Sequence, residues 1–491
     1  MPHFLDEIAA TVGLEGDLFL TVVLVLLSYP LGFAMRLIKN VTFRHIYSLV
    51  LGVLYIFLCF NWQIFHFIIP GLICYLLLYF NVKYSRRIVF YFMLCYLFGL
   101  HVYGMITRYL EYTLDITGPM MLLTTRLSSL GYNIHDGSGR NKRVTKDQKE
   151  RSIPHLPSLL HYWSFIFYFG GILMGPPYEI REFLDFMSHK LNLDKPKDAK
   201  PDKLTDGLFE GLKKLLTSFF FGGLMFFLSI YFNDDFLKTG GYLKSNWIRR
   251  FLFSIGLGIA VRSRYYTGMI MSEGANIFSG FGFNGYDKNG NKKWDRLVVF
   301  HPIKVETAQS WRDVSESWNI RVNAWLKRYA YLRFAPIGTN KSTTVASYLT
   351  YLISAFWHGL YPGYYMAFLT MSLVLEAGKA MRRNVRPFFL KDNGDGNYPF
   401  KYIYDGIGTI IIGFGAANYC GLPFHFLEFK TALMYWKGLY FYLHILCIVV
   451  LVVFTVGGKF MLRFKKVKLE NERRKALHEK ISREQTKDKQ D

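Results

Sequence analysis

The sequence predicts an all-α protein that crosses a membrane many times, with about ten or eleven transmembrane or re-entrant helices around an intramembrane chamber. Of its 491 residues, 51% are hydrophobic, 18% aromatic and 19% charged, whereas soluble proteins carry about 25% charged residues. Apolar runs long enough to span a bilayer recur along the chain. The net charge of +23 resides in short loops and in the C-terminal tail, which is typical of membrane proteins and argues against nucleic-acid binding.

The first spans alternate with basic loops. The N-terminal segment, residues 1–17, is acidic and lacks the cationic region of a cleavable signal peptide. The run from Leu18 to Met35 is the first predicted span, and the basic residues that follow it predict a cytosolic loop and a lumenal N-terminus. A second basic loop follows two further spans. The predicted spans of this region lie near residues 18–35, 46–60, 64–80 and 88–105.

The middle of the chain is less regular. Residues 113–134 are apolar but contain Asp115 and Arg126, and such segments are tolerated at membrane depth only when protein or a cavity surrounds them. Polar cytosolic loops are predicted near 136–152 and 188–206. We predict one membrane-embedded domain over residues 1–458. Its further apolar stretches lie near residues 158–175, 208–232, 248–261, 343–357, 361–376, 404–419 and 438–457.

A basic tail ends the chain. Residues 459–491 hold 12 Lys or Arg and 6 Asp or Glu, which predicts a solvated cytosolic segment. The last five residues, KDKQD, place Lys487 and Lys489 in a spacing that resembles the dilysine retrieval signal of endoplasmic-reticulum membrane proteins. We therefore predict a multi-pass protein of that membrane, with its C-terminus in the cytosol.

The densest polar cluster in an apolar setting lies between residues 311 and 364. His358 closes an apolar run, and Gly359, Pro362 and Gly363 follow it, which indicates a helix end at a cavity wall. Neutral imidazole accepts a proton near neutral pH. The alternative is a histidine that only forms a hydrogen bond between packed helices.

A second cluster lies 39 residues upstream of His358. Trp311, Trp318 and Trp325 recur at seven-residue spacing, and Asn319 and Asn323 are four residues apart. One helix would place the tryptophans on one face and the amides on another. An interfacial amphipathic helix is one interpretation. The other is that the amides face a cavity, where they orient a hydroxyl or stabilise an oxyanion.

Several motifs in one order carry a family resemblance. SWN…WL at 317–326 and SAFWHGLYPGYY at 354–365 resemble the membrane-bound O-acyltransferase family, in its lysophospholipid acyltransferase branch. Residues 115–137, 157–179 and 261–287 agree with the same branch. MRRNVRPFFL and the KYIYDGIG that follows are most similar to fungal members. The block before Asn319 reads SESW, unlike the FYxDWWN-type block of sterol and diacylglycerol acyltransferases.

The resemblance implies roles for particular residues. His358 would be the catalytic histidine and general base, and Asn319 its orienting or oxyanion-stabilising partner, with Asn323 as the second candidate amide. Glu273 and Asp115 lie in apolar surroundings, where a structural hydrogen-bond acceptor is the favoured interpretation. The residues expected to bind substrate are Asn323, Trp318, Trp357, Tyr265, Tyr266, Glu273, Tyr361 and Tyr364.

The activity implied is transfer of a fatty acyl group from acyl-CoA to the free hydroxyl of a lysophospholipid, at the sn-2 position. Acyl-CoA is then a co-substrate, and neither a bound cofactor nor a metal is expected. The partners are lysophospholipids, acyl-CoA and membrane lipid. The alternatives are sterol, diacylglycerol or protein acylation by the same family, and a membrane transporter. His189 and Asp194 match the His-x₄-Asp spacing of unrelated acyltransferases, but they lie in the polar 188–206 linker and are set aside.

Overall fold

The computed structural model describes residues 15–111, 114–139, 144–192, 203–335, 344–389 and 400–454, with residues 7, 9–11 and 196. Across these ranges the chain is helical, and its one β-type pairing is an isolated bridge between Tyr286 and Lys292. The predicted all-α class is confirmed. The tail at 459–491, with its KDKQD end, lies outside the described residues.

Five helices of 15 to 23 residues form the N-terminal part and contribute a large share of the larger hydrophobic core. Each coincides with an apolar run of the sequence. Asn40 begins the second helix by accepting a hydrogen bond from the Phe43 backbone N–H at 2.9 Å, which satisfies one free amide of the first turn. The helices are α1 (Gly16–Leu37), α2 (Val41–Phe60), α3 (Phe65–Tyr79), α4 (Ser85–Thr107) and α5 (Thr117–Gly137), with a 3₁₀ turn at Asn61–Ile64.

The polar residues within α5 and just before it have structural partners. Arg126 is fully buried, and its guanidinium donates to the carbonyl oxygens of Ile166 at 2.9 Å and Gly171 at 2.7 Å. Asp115 accepts from the Thr117 backbone N–H at 3.0 Å and pairs with Arg108. The segment is therefore surrounded by protein, as its composition predicts.

Short elements follow α5. They are α6 (Lys146–Arg151), α7 (Leu159–Ile166) and α8 (Ile180–Met187), with 3₁₀ turns at Phe169–Gly171 and Lys190–Asn192. Thr145 and Gln148 form a capping box at the start of α6. The Arg151 guanidinium donates to Asp147 and holds the pKa of that carboxyl below its usual range. The predicted polar loop at 136–152 thus contains a capped helix.

Two long helices pack side by side in the centre of the chain. They and the short helices between them are α9 (Leu208–Tyr231), α10 (Asp235–Lys238), α11 (Gly241–Lys244) and α12 (Trp247–Ser279). One face of α9 packs on α12 through Ser218, whose hydroxyl donates to the Thr267 carbonyl at 2.7 Å. The opposite face is apolar and open, with Phe220 65% and Phe226 70% exposed. Such a face suits the lipid of a bilayer.

The C-terminal half forms a second core. Its helices are α13 (Pro302–Glu306), α14 (Trp311–Ser317), α15 (Ile320–Leu326), α16 (Leu332–Phe334), α17 (Thr344–His358), α18 (Pro362–Asn384), α19 (Arg386–Phe389), α20 (Lys401–Thr409), α21 (Ala417–Phe426), α22 (Phe429–Gly438) and α23 (Tyr442–Val452). π-Helical turns lie at Lys327–Tyr331 and Ile410–Ala416.

Five helical stretches of the described chain are long and apolar enough to cross a membrane, or six if the pair α22 and α23, bent by 73°, counts as one span. The stretch Val41–Tyr79 contains two of the predicted spans, α2 and α3. The sequence estimate of ten or eleven is higher because it includes shorter or more polar segments, such as α5, α7 and α17. A multi-pass helical membrane protein results either way.

Gly52 allows α2 to touch the backbone after α7. A Cβ atom at this position would lie 1.5 Å from the Phe167 carbonyl oxygen. We expect Gly52→Ala to destabilise the protein by about 3 kcal/mol, the upper range for overpacking, and to lower the midpoint of thermal unfolding in detergent. Gly99→Ala in α4 is the matched control, because no atom lies within 4 Å of its new Cβ. Equal midpoints for the two variants would contradict this packing.

Candidate active site

His358 is the last residue of α17, and the break that follows it is built into the backbone. Gly359 has φ +126°, a conformation that suits glycine, and Pro362 begins α18 at its first position. The predicted helix end at His358 is therefore confirmed. The histidine stands at the junction of two helices.

Aromatic rings surround the His358 imidazole. Its ring centroid lies 4.7 Å from that of Trp357, 4.7 Å from Phe424 and 5.4 Å from Phe368. Among the described residues, none forms a hydrogen bond with the imidazole nitrogens. The ring is half-buried in an apolar setting, so a nitrogen lone pair is available to a polar group of a ligand.

His101 of α4 contacts the same junction. Its Nε2–H donates to the Trp357 carbonyl oxygen at 3.1 Å, and its ring would lie 3.3 Å from a Cβ placed on Gly359. It therefore fixes the peptide before His358 by a hydrogen bond and packs beside Gly359, the residue after it. His101 is not recognisable as a site residue from the sequence, because its role depends on a contact across 256 residues.

Asn319 lies in a turn between α14 and α15. Its backbone is left-handed, with φ 42° and ψ 54°, a region that asparagine adopts more readily than most residues. The backbone N–H of Ile320 donates to Val299 at 2.9 Å, which fixes the turn. The Asn319 side-chain oxygen is buried and has no hydrogen-bond partner among the described residues. A buried amide oxygen without a partner is costly unless a ligand satisfies it.

Asn323, the second candidate amide, is engaged within the protein. Its Nδ2 donates to the Ser315 carbonyl oxygen at 2.7 Å, which ties α15 to α14. Its backbone N–H donates to the Asn319 carbonyl at 2.9 Å. The two amides therefore differ, since Asn319 keeps a free oxygen while Asn323 has a structural bond.

The prediction that a single helix carries Trp311, Trp318 and Trp325 is wrong. The chain leaves helical geometry at Trp318 and Asn319, so the three tryptophans do not share a face and the segment is not an interfacial amphipathic helix. Trp311 and Trp325 are both buried. A seven-residue spacing predicts a shared face only if no turn intervenes.

The asparagine segment packs against the histidine helix at two points. The Trp311 indole N–H donates to the Tyr351 hydroxyl at 3.0 Å, two turns before His358. The Trp325 ring centroid lies 6.0 Å from that of Trp357, the neighbour of His358. The two polar clusters that the sequence singles out therefore belong to adjoining parts of the fold. The chamber between them stays a prediction.

Three of the predicted substrate-binding residues pack together. The ring centroids of Trp318 and Tyr265 are 5.9 Å apart, and those of Trp318 and Tyr266 are 5.7 Å apart. Tyr266 is buried, and its hydroxyl donates to Glu306 at 2.9 Å beside the ion pair of Glu306 with Arg262. These contacts hold Trp318, the residue that precedes Asn319 in the turn.

The remaining predicted residues are dispersed. Glu273 is buried in α12 and pairs with Lys214 of α9, with 2.6 Å between carboxylate oxygen and ammonium nitrogen, as expected of a structural group. The Tyr361 hydroxyl accepts from the Leu110 backbone N–H at 2.9 Å. Tyr364 faces His358, with 5.7 Å between ring centroids. Of this set, Trp357 and Tyr364 contact the histidine.

No three His, Cys, Asp or Glu side chains of the described ranges are grouped so as to hold a metal ion. The arrangement can offer a substrate one imidazole nitrogen, one amide and apolar walls. Acyl transfer to a hydroxyl is within the chemistry of those groups.

Comparison with known proteins identifies the class. The family model described as the membrane-bound O-acyltransferase family matches residues 101–420. "Membrane-bound glycerophospholipid O-acyltransferase 2" of Homo sapiens is 32% identical over 467 residues, which cover 90% of this chain and 82% of that protein. The protein of the same name from Gallus gallus is 33% identical over 433 residues, with 84% and 79% covered.

A fungal relative matches at similar identity. "Lysophospholipid acyltransferase" of Saccharomyces cerevisiae is 33% identical over 392 residues, 75% of this chain and 62% of that protein. The chain is thus a membrane-embedded acyltransferase. It belongs to the membrane-bound O-acyltransferase family, as its motifs indicate.

Proposed function

We propose that this protein is a lysophospholipid acyltransferase that transfers a fatty acyl group from acyl-CoA to a free hydroxyl, expected at sn-2, of a lysophospholipid. The observation that carries the proposal is a half-buried, unbonded His358 in the segment that adjoins Asn319. The names of the relatives support the acceptor class. The structure's apolar outer face supports delivery of that acceptor from the bilayer.

A membrane site suits these substrates for an energetic reason. Each methylene exposed to water costs about 0.8 kcal/mol. Extracting two long acyl chains into water would cost on the order of 20 kcal/mol on that scale. A site within the bilayer avoids most of this cost, because both chains stay among apolar groups. The anionic CoA head would approach from the basic, cytosolic end.

In this mechanism His358 acts as general base. It removes the proton of the acceptor hydroxyl while the oxygen attacks the thioester carbonyl of acyl-CoA. The new C–O bond forms and the C–S bond breaks, and the proton passes from His358 to the departing CoA sulfur. Asn319 orients the hydroxyl or stabilises the oxyanion of the intermediate. No covalent acyl-enzyme is needed, because the thioester is already an activated acyl donor.

The test measures free thiol released in membranes that contain the protein. One acyl-CoA is supplied with a lysophospholipid, with diacylglycerol, with a sterol, or with no acceptor. We expect thiol release that depends on the lysophospholipid, together with the diacyl product. Release only with diacylglycerol or sterol would favour another activity of the family, and a transporter would give no acceptor-dependent release. Location in the endoplasmic reticulum with a cytosolic C-terminus belongs to the same proposal.

His101 gives a prediction for a positioning residue. We expect His101→Ala to lower kcat by roughly tenfold with little change in KM, because the peptide that carries His358 loses a fixed hydrogen bond. His101→Gln, whose amide N–H can still donate to the Trp357 carbonyl, should restore most of the rate. His66→Ala is the matched control, because that histidine bonds to Tyr96 instead. Equal rates for the alanine and glutamine variants would contradict a positioning role.

A further inference from the structure

A basic cavity lies at the end of the first two helices, apart from the His358 junction. It has a volume of about 180 Å³. Its charged lining comprises Arg36, Arg44, Lys203, Lys292 and Asp206. Among the described residues that line it, Asp206 is the only acidic one, and it pairs with Lys292. The cavity therefore has an excess of positive charge.

The two arginines are held in place, and each has a buried Nε donor without a partner among the described residues. The Arg36 guanidinium stands 5.4 Å from the Trp294 ring and that of Arg44 4.7 Å from the Phe186 ring. Arg44 is 3% exposed, and the Nε groups of both arginines are buried without a hydrogen-bond partner among the described residues. A buried charged donor left unpaired is costly, so an acceptor that enters the cavity would be stabilised.

The partners that these arginines do have are uncharged. Arg36 donates to the carbonyl oxygens of Leu204 at 2.8 Å and Asp206 at 2.7 Å. Arg44 Nη1 lies 2.8 Å from Nδ1 of His189. Burial, and then the charge of Arg44, lower the pKa of His189, which keeps its ring neutral at pH 7. In these bonds neither arginine donates to a carboxylate, and the nearby Asp206 charge acts on Arg36 only.

The position of the cavity relative to the membrane indicates which anion would bind there. Arg36 is in the last turn of α1, and Arg44 is in the first turn of α2. Both helices are apolar and of bilayer length, so their ends lie where lipid phosphates lie. Basic pockets between membrane helices at this level suit lipid headgroups. We propose that this cavity binds the phosphate of an anionic phospholipid as a site separate from the acyl-transfer site.

The test is thermal unfolding of the purified protein in detergent, followed by tryptophan fluorescence. Phosphatidic acid is titrated, with phosphatidylcholine as the zwitterionic comparison. We expect phosphatidic acid to raise the midpoint far more than phosphatidylcholine. Arg44→Gln should weaken its apparent affinity about tenfold, the effect of losing one charge-assisted hydrogen bond.

Further variants show whether a loss of affinity is due to misfolding or to lipid bound at the acyl-transfer site. Lys203 is exposed, so Lys203→Gln should fold normally and weaken the affinity about fivefold. Arg87→Gln removes an exposed charge elsewhere, and it should leave the affinity unchanged, as should His358→Ala. Unchanged affinity in both cavity variants would overturn the proposal. So would an equal, Arg44-dependent shift with inorganic phosphate or with CoA alone, since either would identify a soluble ligand.

Discussion

Replacing His358 with alanine is expected to lower the turnover of acyl transfer by about 10²–10⁴-fold, the usual contribution of a general base. The reason is that no other described histidine could replace it at this junction. The nearby His101 already donates a hydrogen bond to the Trp357 carbonyl, whereas the His358 nitrogens form no hydrogen bond with a described residue. The measurement is the initial rate of acceptor-dependent thiol release, with the amount of inserted protein determined in the same membranes.

The control for this variant is His155→Ala, because His155 lies exposed in the segment between α6 and α7. It should keep the parent rate. His358→Ala should remain in the membrane fraction and unfold near the parent temperature, since the imidazole makes no hydrogen bond whose loss would destabilise the helix junction. A His358→Ala protein with a near-normal rate would exclude the proposed mechanism.

The second large effect is expected at Asn319. Asn319→Ala should lower kcat by about 10²-fold or more, the typical loss for one group that stabilises an oxyanion. Its side chain has no hydrogen bond to lose at the buried oxygen, but alanine is less suited than asparagine to the left-handed backbone at this position, so the unfolding temperature should fall slightly. The kinetics should be measured at saturating acyl-CoA, so that the loss is assigned to kcat.

Asn323→Ala is the comparison that separates the two amides. It removes the bond from Asn323 to the Ser315 carbonyl, so it should lower the stability by about 1 kcal/mol and leave most of the rate. If Asn323→Ala lost the rate while Asn319→Ala kept it, the assignment of the two amides would be reversed.

Several features of the fold were predictable from single segments. Apolar runs gave the helices, and the Gly-Leu-Tyr-Pro-Gly sequence after His358 gave the break between α17 and α18. These succeed because a span needs only length and apolarity, and because glycine and proline act on their own backbone. The same local reasoning failed at Trp318 and Asn319. There a left-handed residue, bonded to Val299 through its neighbour, overrides helical periodicity.

The contacts around the histidine could not be predicted in this way. His101, Phe368 and Phe424 lie on three different helices, and only packing brings them to His358. The sequence around Glu273 does not predict that Lys214 is its ion-pair partner. The sequence contained one indication of the basic cavity, since Arg36 and Arg44 flank the first predicted loop. That both arginines keep an unpaired Nε donor could not be predicted, because it depends on their packing against distant residues such as Leu204 and Asp206.

Arg126 has a consequence for biosynthesis. Its guanidinium is solvated by the peptide oxygens of Ile166 and Gly171, which are translated 40 and 45 residues later. A nascent α5 exposed to lipid before that point would carry an unsolvated cation, at a cost of several kcal/mol. We therefore expect α5 to enter the lipid only after the turn that follows α7 has been synthesised. The segment from α5 to this turn should then leave the insertion machinery as one unit.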